Sequence, residues 1–395
     1  MYFNLEKSLL EEKEGIFTAQ EIYSQPSIWK QSINSILNSK EHISDFMSNF
    51  LKKDNKRIIL TGAGSSAFAG EVCSPQLSKL LGFTVEAIPT TDIVASPNNY
   101  LYENTPTLLI SFARSGNSPE SVAAVNLAKQ IVKDLYQVVI TCNENGKLAL
   151  ASDSDEKSLL LLMPKESNDR GFAMTSSFTS MILSCMALFY IDKIEDYMSD
   201  TQKLCNMVET FMSKNIEKIN ELSKLDFDRV IYLGSNSYKA IARESALKLL
   251  ELTSGIVNAN YDTPLGFRHG PKSVINNNTI TVVYTSEDKY TNKYENDLIK
   301  EMSNHRDQDK LIVVSSINEN YENISDYVFE LGKANYILDN DVFLALQQII
   351  FGQSLSFLKS LNLGITPDNP CPSGKVNRVV KGVTIHEYCK EVFKC

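Results

Sequence analysis

The chain repeats one pattern of strands and helices, and this repeat limits its possible folds more than any other feature. RIILTGAGS begins at Arg57 and RVIYLGSNS begins at Arg229, an offset of 172 residues. The same offset brings TLLI at Thr107 onto TITV at Thr279, and QVVIT matches LIVVS after a slip of about two residues. A fourth pair, SLLLLMP and DYVFELG, follows in the same order. Four matching strands at nearly one period indicate two copies of one α/β unit rather than a solenoid of short repeats.

Each copy alternates short apolar runs of strand length with longer helix-like stretches, which predicts a parallel sheet with helices on both faces. The residues before the first copy recur at helical spacing, and the end of the chain is rich in proline and glycine. We therefore predict an N-terminal helical segment, a first α/β unit, a second unit that begins with a linking helix, and an irregular tail. Their expected bounds are 1–52, 53–200, 201–363 and 364–395.

Composition excludes several classes of protein. With 43% apolar and 22% charged residues, the chain can form a large core and is not mainly disordered. Its net charge of −9 argues against a nucleic-acid or anionic-membrane partner. Seven cysteines without a C-x-x-C pair indicate reduced thiols in a cytoplasmic protein, and four scattered histidines predict no metal site. The most apolar stretch, 172–191, is rich in serine and threonine and predicts a buried helix rather than a membrane span.

The turn after the first strand reads GAGSSA and has three possible interpretations. Its glycines can serve the turn alone, or they can form a dinucleotide fingerprint with Glu86 downstream. They can also bring backbone N–H groups at a helix start to a phosphosugar. The hydroxyl groups of Ser65 and Ser66 favour a monophosphate or sugar over a pyrophosphate. We therefore predict a phosphosugar site that includes Gly64, Ser65 and Ser66.

The segment ARSGNSPES follows the second strand of the first copy. Pro119 suits the first turn of a helix and Ser118 suits its N-cap, so an ordinary capped helix start is the simpler interpretation. That interpretation explains one serine but not the whole cluster of hydroxyl groups around a glycine, which is typical of a nest for phosphate oxygens. The predicted phosphate-binding residues of this loop are Arg114, Ser115, Gly116, Asn117, Ser118 and Ser121.

A helix with an acidic and basic face is predicted early in the second copy, in RESALKLLELT. At 100° per residue, Glu244, Lys248 and Glu251 share one side of this helix. They can form a solvated stripe of ion pairs, or, since the helix follows a strand end, a carboxylate there can act as a general base. Ser235, in the preceding RVIYLGSNS turn, is also predicted to bind the substrate.

One histidine lies in a setting that suits catalysis. His269 occurs in LGFRHGPKS, where neighbouring glycines and a proline predict a constrained loop rather than a core position. A lone histidine is often structural, but on such a loop it can act as an acid–base group. The adjacent Arg268 is predicted to bind the substrate.

Taken together, SFARSGNSPES, RESALKLLELTSG and LGFRHGPKS resemble the SIS (sugar isomerase) family, specifically its double-SIS members of the AgaS type. These proteins are galactosamine-6-phosphate deaminase/isomerases, also described as tagatose-6-phosphate ketose/aldose isomerases. The resemblance covers both copies, from about Arg57 to Leu363, and the tail. It implies two tandem SIS domains that act on a hexosamine 6-phosphate without a cofactor.

The resemblance also implies roles for individual residues. Glu251 matches the glutamate that moves a proton between C1 and C2, and Glu244 and Lys248 match its helix companions. His269 matches a ring-opening histidine contributed by a neighbouring subunit, so a homodimer or larger homo-oligomer is expected. Lys381 matches a tail lysine that closes over the sugar. Two other functions stay open, an aldose–ketose isomerase without deamination and a non-catalytic sugar-phosphate sensor.

Overall fold

The chain begins with helices that pack into the centre of the molecule. The computed structural model describes residues 1–152, 155–305, 307–316, 320–380 and 382–389. The first helices are α1 (Lys7–Glu12), α2 (Ile16–Asn38) and α3 (Lys40–Leu51). Trp29 of α2 is fully buried, and its Nε1 donates to Thr179 Oγ1 at 3.0 Å. This hydrogen bond satisfies the one polar group of the largest buried side chain.

The first sheet has five parallel strands in the order β2-β1-β3-β4-β5. The strands are β1 (Arg57–Thr61), β2 (Val85–Ala87), β3 (Thr107–Ala113), β4 (Leu135–Thr141) and β5 (Ser158–Leu162). The accompanying helices are α4 (Ser65–Leu81), α5 (Thr90–Ala95), α6 (Pro97–Tyr100), α7 (Pro119–Ile131), α8 (Lys147–Ser152) and α9 (Ser176–Phe189). A long helix, α10 (Ile194–Lys224), leads to the second copy.

The second sheet repeats the topology of the first, with five parallel strands in the order β10-β9-β8-β6-β7. The strands are β6 (Arg229–Leu233), β7 (Asn258–Asp262), β8 (Thr279–Tyr284), β9 (Lys310–Ser315) and β10 (Tyr327–Glu330). The helices are α11 (Ser237–Leu252), α12 (Pro264–Phe267), α13 (Lys289–Asn304) and α14 (Val342–Asn362). Two parallel sheets of identical strand order confirm the predicted duplicated α/β architecture.

Alternate residues of each strand face two different cores, as the two-residue period of a strand requires. In β1, Ile58 and Leu60 belong to the large central core, whereas Ile59 belongs to a smaller core under the outer helices. In β6, Val230 faces the central core and Ile231 faces the outer core of the second unit. Helices of both units pack between the sheets, so the central core is common to the two copies.

Two apolar helices lie wholly inside this central layer. The stretch predicted as a buried helix forms α9, in which every side chain from Ser176 to Leu188 is buried. Helix α14 is long and apolar enough to cross a membrane, but its most apolar window is fully buried in the protein. Both helices therefore serve as core helices of the fold.

Candidate active site

The first predicted phosphate-binding turn joins β1 to α4. Gly64 has φ 57° and ψ −130°, a conformation that side-chain-bearing residues rarely adopt. A Cβ on Gly62 would lie 2.5 Å from the backbone of Ser66, so this position also requires glycine. The sharp turn places Ser65 and Ser66 in the first turn of α4, where the N-terminal end of the helix dipole favours an anion.

The second loop joins β3 to α7, beside the first turn in the sheet. Ser118 occupies the N-cap position of α7, and Pro119 is the first helical residue, as predicted. Gly116 has φ 64°, and the Asn117 N–H donates to Ser115 Oγ at 3.3 Å. Because β1 and β3 are adjacent and parallel, both loops lie at the same edge of the sheet.

A cavity of about 260 Å³ lies between these two loops, helix α11 and the C-terminal tail. It brings together eight of the predicted site residues, from both copies. These are Gly64, Ser65, Ser66, Arg114, Ser115, Ser118, Ser121 and Glu251. Five hydroxyl-bearing side chains and one carboxylate therefore face a space large enough for a phosphorylated sugar.

Lys248 connects the carboxylates of α11 to the first loop. Its ammonium is fully buried and donates to Glu251 Oε2 at 2.5 Å and to Ser65 Oγ at 3.1 Å. The same nitrogen lies 3.3 Å from Glu244 Oε1, and the Glu244 side chain is also fully buried. Glu251 is the outermost of the three, with 24% of its side chain exposed, and lines the cavity. The predicted helix face is thus a buried ion cluster rather than a solvated stripe.

Burial and the neighbouring charges shift the pKa values of Glu244 and Lys248 in opposite directions. Burial raises the pKa of Glu244 to about 7, although the Lys248 charge acts against this rise. Burial alone would lower the pKa of Lys248, but the two carboxylates outweigh burial and raise that pKa. Lys248 therefore stays charged at neutral pH and holds the Glu251 carboxylate toward the cavity.

The C-terminal tail covers the cavity with residues 376–380. Arg114, which is 8% exposed, donates from Nη2 to the backbone oxygen of Arg378 at 2.9 Å. Arg378 in turn donates to the backbone oxygen of Asp169. The sequence predicted Arg114 as a phosphate ligand, and in this structure it also holds the tail. Lys381, the predicted tail lysine, lies outside the described residues.

Several predicted residues do not line this cavity. Gly116 and Asn117 shape the second loop, where Asn117 Oδ1 accepts from the Lys147 N–H at 3.0 Å. Ser235 Oγ donates to Glu295 at 2.8 Å. Arg268 forms an ion pair with Glu301 at 2.9 Å, and His269 is exposed on the loop after α12. Within one chain, the serines of the two loops and Glu251 line the same cavity, but His269 does not.

Sequence reasoning missed the apolar wall of the cavity, formed by Phe172, Met174 and Leu247. It also missed Glu21, whose carboxylate accepts from the Gly171 N–H at 3.1 Å and so holds the loop that carries Phe172. No motif marks these residues, because each contributes through a contact between distant segments. Within the described ranges, no group of three or more His, Cys, Asp or Glu side chains is arranged to hold a metal ion.

Known proteins of the same length match the chain. The SIS domain model matches residues 51–191. D-galactosamine-6-phosphate deaminase AgaS of Escherichia coli O157:H7 is 42% identical over 95% of this chain and 96% of its own. The structure of tagatose-6-phosphate ketose/aldose isomerase from Escherichia coli has 39% identity and a TM-score of 0.87, with 95% and 97% of the two chains covered. A Clostridium novyi structure described as the same kind of isomerase has 46% identity and a TM-score of 0.95, with 98% and 99% covered.

Proposed function

The chain belongs to the AgaS family of SIS-domain proteins, and on this premise we propose that it is a galactosamine-6-phosphate deaminase/isomerase. It converts galactosamine 6-phosphate and water to tagatose 6-phosphate and ammonia. The observation that carries this proposal is the single cavity in which the hydroxyl groups of the two loops face the Glu251 carboxylate. A phosphate anchor and a base that line one small cavity suit proton transfer on a sugar phosphate.

The loops of the first copy bind the phosphate. The hydroxyl groups of Ser65, Ser66, Ser115, Ser118 and Ser121 are available around the cavity, and two helix N-termini point at it. Hydrogen bonds to a charged phosphate contribute roughly 1.5–3 kcal/mol each. Several such bonds fix the sugar so that its first two carbons lie near α11.

Glu251 carries out the proton transfer on the open-chain sugar. Its carboxylate removes the proton from C2 while O1 takes up a proton, which gives an enaminol. It then returns a proton to C1 while the C2 nitrogen gives one up, so the C1 aldehyde and C2 amine become a C1 alcohol and a C2 imine. Water then adds to the imine, and ammonia leaves to give the ketone. Lys248 orients the Glu251 carboxylate through a hydrogen bond, and its contact with Ser65 links Glu251 to the first loop.

A second subunit completes the site in this proposal. His269, the candidate for ring opening, is exposed and lies outside the cavity of its own chain. A homodimer in which the His269 loop of one subunit reaches the cavity of the other would supply the missing acid–base group. Lys381, which lies outside the described residues, keeps its proposed role as the tail lysine of the site.

The neighbouring solved structures favour a second candidate function, since two of them carry the description tagatose-6-phosphate ketose/aldose isomerase. The same base and the same phosphate anchor would interconvert an aldose and a ketose with no loss of nitrogen. The two reactions differ only in the substituent at C2, so the identity of the substrate distinguishes them.

The decisive experiment uses the purified full chain in two assays. The first measures the ammonia and ketose formed from galactosamine 6-phosphate, and the second measures the aldose formed from tagatose 6-phosphate. We expect stoichiometric ammonia and tagatose 6-phosphate from the amino sugar. The E251Q variant should bind the sugar phosphate but lose turnover by about 10²-fold or more, since the base is removed. E195Q, an exposed glutamate paired with Lys40, is the matched control and should retain activity.

Ketose–aldose interconversion without ammonia release would favour the isomerase instead. Tight binding of both sugars without turnover of either would indicate a sensor, and turnover of E251Q equal to that of the wild type would contradict the assigned base.

We also propose that the protein acts in the cytoplasm. The six described cysteines are free thiols, and four of them, Cys73, Cys142, Cys185 and Cys205, are buried. Free thiols in the core are typical of proteins kept in a reducing compartment.

A further inference from the structure

The second copy contains a turn that repeats the first phosphate-binding turn. Asn236 lies 172 residues after Gly64 and has φ 50° and ψ −124°, against φ 57° and ψ −130° for Gly64. This conformation is unfavourable for a residue with a side chain, yet the second copy retains it. Ser237 then begins α11 as Ser65 begins α4. The duplication therefore preserved the backbone of a second cradle.

A carboxylate of the chain itself occupies the second cradle. Glu295 of α13 is fully buried, and it accepts from Ser235 Oγ at 2.8 Å and from the Ser286 N–H at 2.7 Å. Ser235 belongs to the turn after β6, and Ser286 follows β8, at the position that Arg114 occupies after β3. One internal carboxyl group thus joins the two loops whose counterparts in the first copy surround the cavity.

The residues of α4 that correspond to Lys248 and Glu251 make different contacts. Gln76 and Lys79 of α4 lie 172 residues before Lys248 and Glu251 of α11. Gln76 Nε2 donates to the Asp339 backbone oxygen at 2.7 Å, and Lys79 Nζ donates to Asp339 Oδ2 at 2.8 Å. The second copy therefore has no counterpart of the Lys248–Ser65 contact at these two positions.

We propose that the Glu295 carboxyl group takes the place of phosphate in the duplicated cradle, so that each chain binds one sugar phosphate. The second unit is then a structural copy in which Ser235 holds an internal carboxylate rather than the substrate. Removal of that carboxylate should open a second anion site. The phosphate-binding role of the first cradle, with which the second is compared, rests on the proposed function.

The test measures binding of inorganic phosphate to the full chain by equilibrium dialysis. We expect about one phosphate per chain for the wild type and about two for E295A, because the vacated backbone and hydroxyl donors accept the free anion. D297A is the matched control, since it removes an exposed carboxylate from the same helix. It should bind about one phosphate, like the wild type.

Two outcomes overturn the proposal: a wild type that binds two phosphates, or a folded E295A protein that binds no more phosphate than the wild type. A wild-type chain that binds no phosphate would count against the proposed function instead. Even then, a gain of one bound phosphate in E295A would support the role of Glu295. Should E295A be unstable, phosphate should raise its unfolding temperature more than that of the wild type. The proposal would also be overturned if phosphate raised the unfolding temperature of neither E295A nor E295S, which carries a smaller polar side chain, more than that of the wild type.

Discussion

Glu21 shows how one buried carboxyl group can make the stability of the fold depend on pH. The side chain is 7% exposed and accepts hydrogen bonds from the backbone of Arg170 and Gly171. Burial, and next the negative charge of Asp169, raise the pKa of Glu21 to about 8. The folded protein therefore keeps a proton on Glu21 at pH values where the unfolded chain has lost it.

The expected consequence is a loss of stability as pH rises from about 4.5 to about 8, because the folded state binds more protons than the unfolded state in this window. The E21Q variant keeps an oxygen acceptor without an ionisable group. Its free energy of unfolding should equal that of the wild type near pH 5 and exceed it by roughly 2–4 kcal/mol near pH 8. Chemical denaturation at both pH values measures the difference, with E195Q as the exposed control. Parallel pH profiles for E21Q and wild type would contradict the prediction.

The site residues that the sequence could predict are those defined by local spacing. Helical periodicity placed Glu244, Lys248 and Glu251 on one face, and the structure shows that this face is a buried ion cluster. Periodicity could not show that Lys248 reaches Ser65, which lies 183 residues earlier in the chain. Nor could it place Ser235, because a serine in a repeated turn has the same local signal whether it faces a ligand or Glu295.

At the level of helices and strands, too, the sequence predicts what depends on local pattern and misses what depends on contacts between distant segments. The apolar central strands and the long helices were predictable, because periodicity and length mark them. The edge strands β2 and β7 were missed. β2 has three residues, and β7 (NANYD) is polar and half exposed, so neither has the apolar run of a buried strand. The path of the tail over the cavity depends on single contacts such as Arg114 with Arg378, which no pattern encodes.

A contact between the ends of the chain completes helix α2. Asp368, just beyond α14, accepts from the N–H groups of Phe17 and Thr18 at 3.0 and 2.8 Å and from Thr18 Oγ1 at 2.7 Å. These N–H groups lie in the first turn of α2, where no intrahelical partner is available. A residue about 350 positions away thus acts as the N-cap of the helix.

Substitution D368A should destabilise the fold by about 1–2 kcal/mol, the usual effect of removing an N-cap side chain. It should also weaken the sugar-phosphate affinity, because the tail that covers the cavity begins at this anchor. Denaturant unfolding and a binding titration measure the two effects. The exposed D45A variant of α3 serves as control, and a D368A protein as stable as D45A would show that the contact contributes nothing to folding.

For the whole molecule, the proposed dimer makes a quantitative prediction. E251Q and H269A homodimers should both be nearly inactive. A mixed dimer contains one site with both defects and one site with neither, if His269 is supplied by the partner subunit. Co-refolding equal amounts should therefore restore about a quarter of the wild-type activity, because about half of the dimers are mixed and each has one intact site.

A tag on one variant can demonstrate that mixed dimers have formed. If activity does not return in those dimers, each site uses the His269 and Glu251 of the same chain, or His269 takes no part in the reaction. Mixing E251Q with a second Glu251 variant, E251A, provides the negative control, since no intact site can form in that pair.

The hydrogen bond between Lys248 and Ser65 joins the two halves of the chain. The first half alone has the proposed phosphate loops without Glu251, and the second half alone has Glu251 without those loops. The proposed reaction therefore requires both halves in one folded unit.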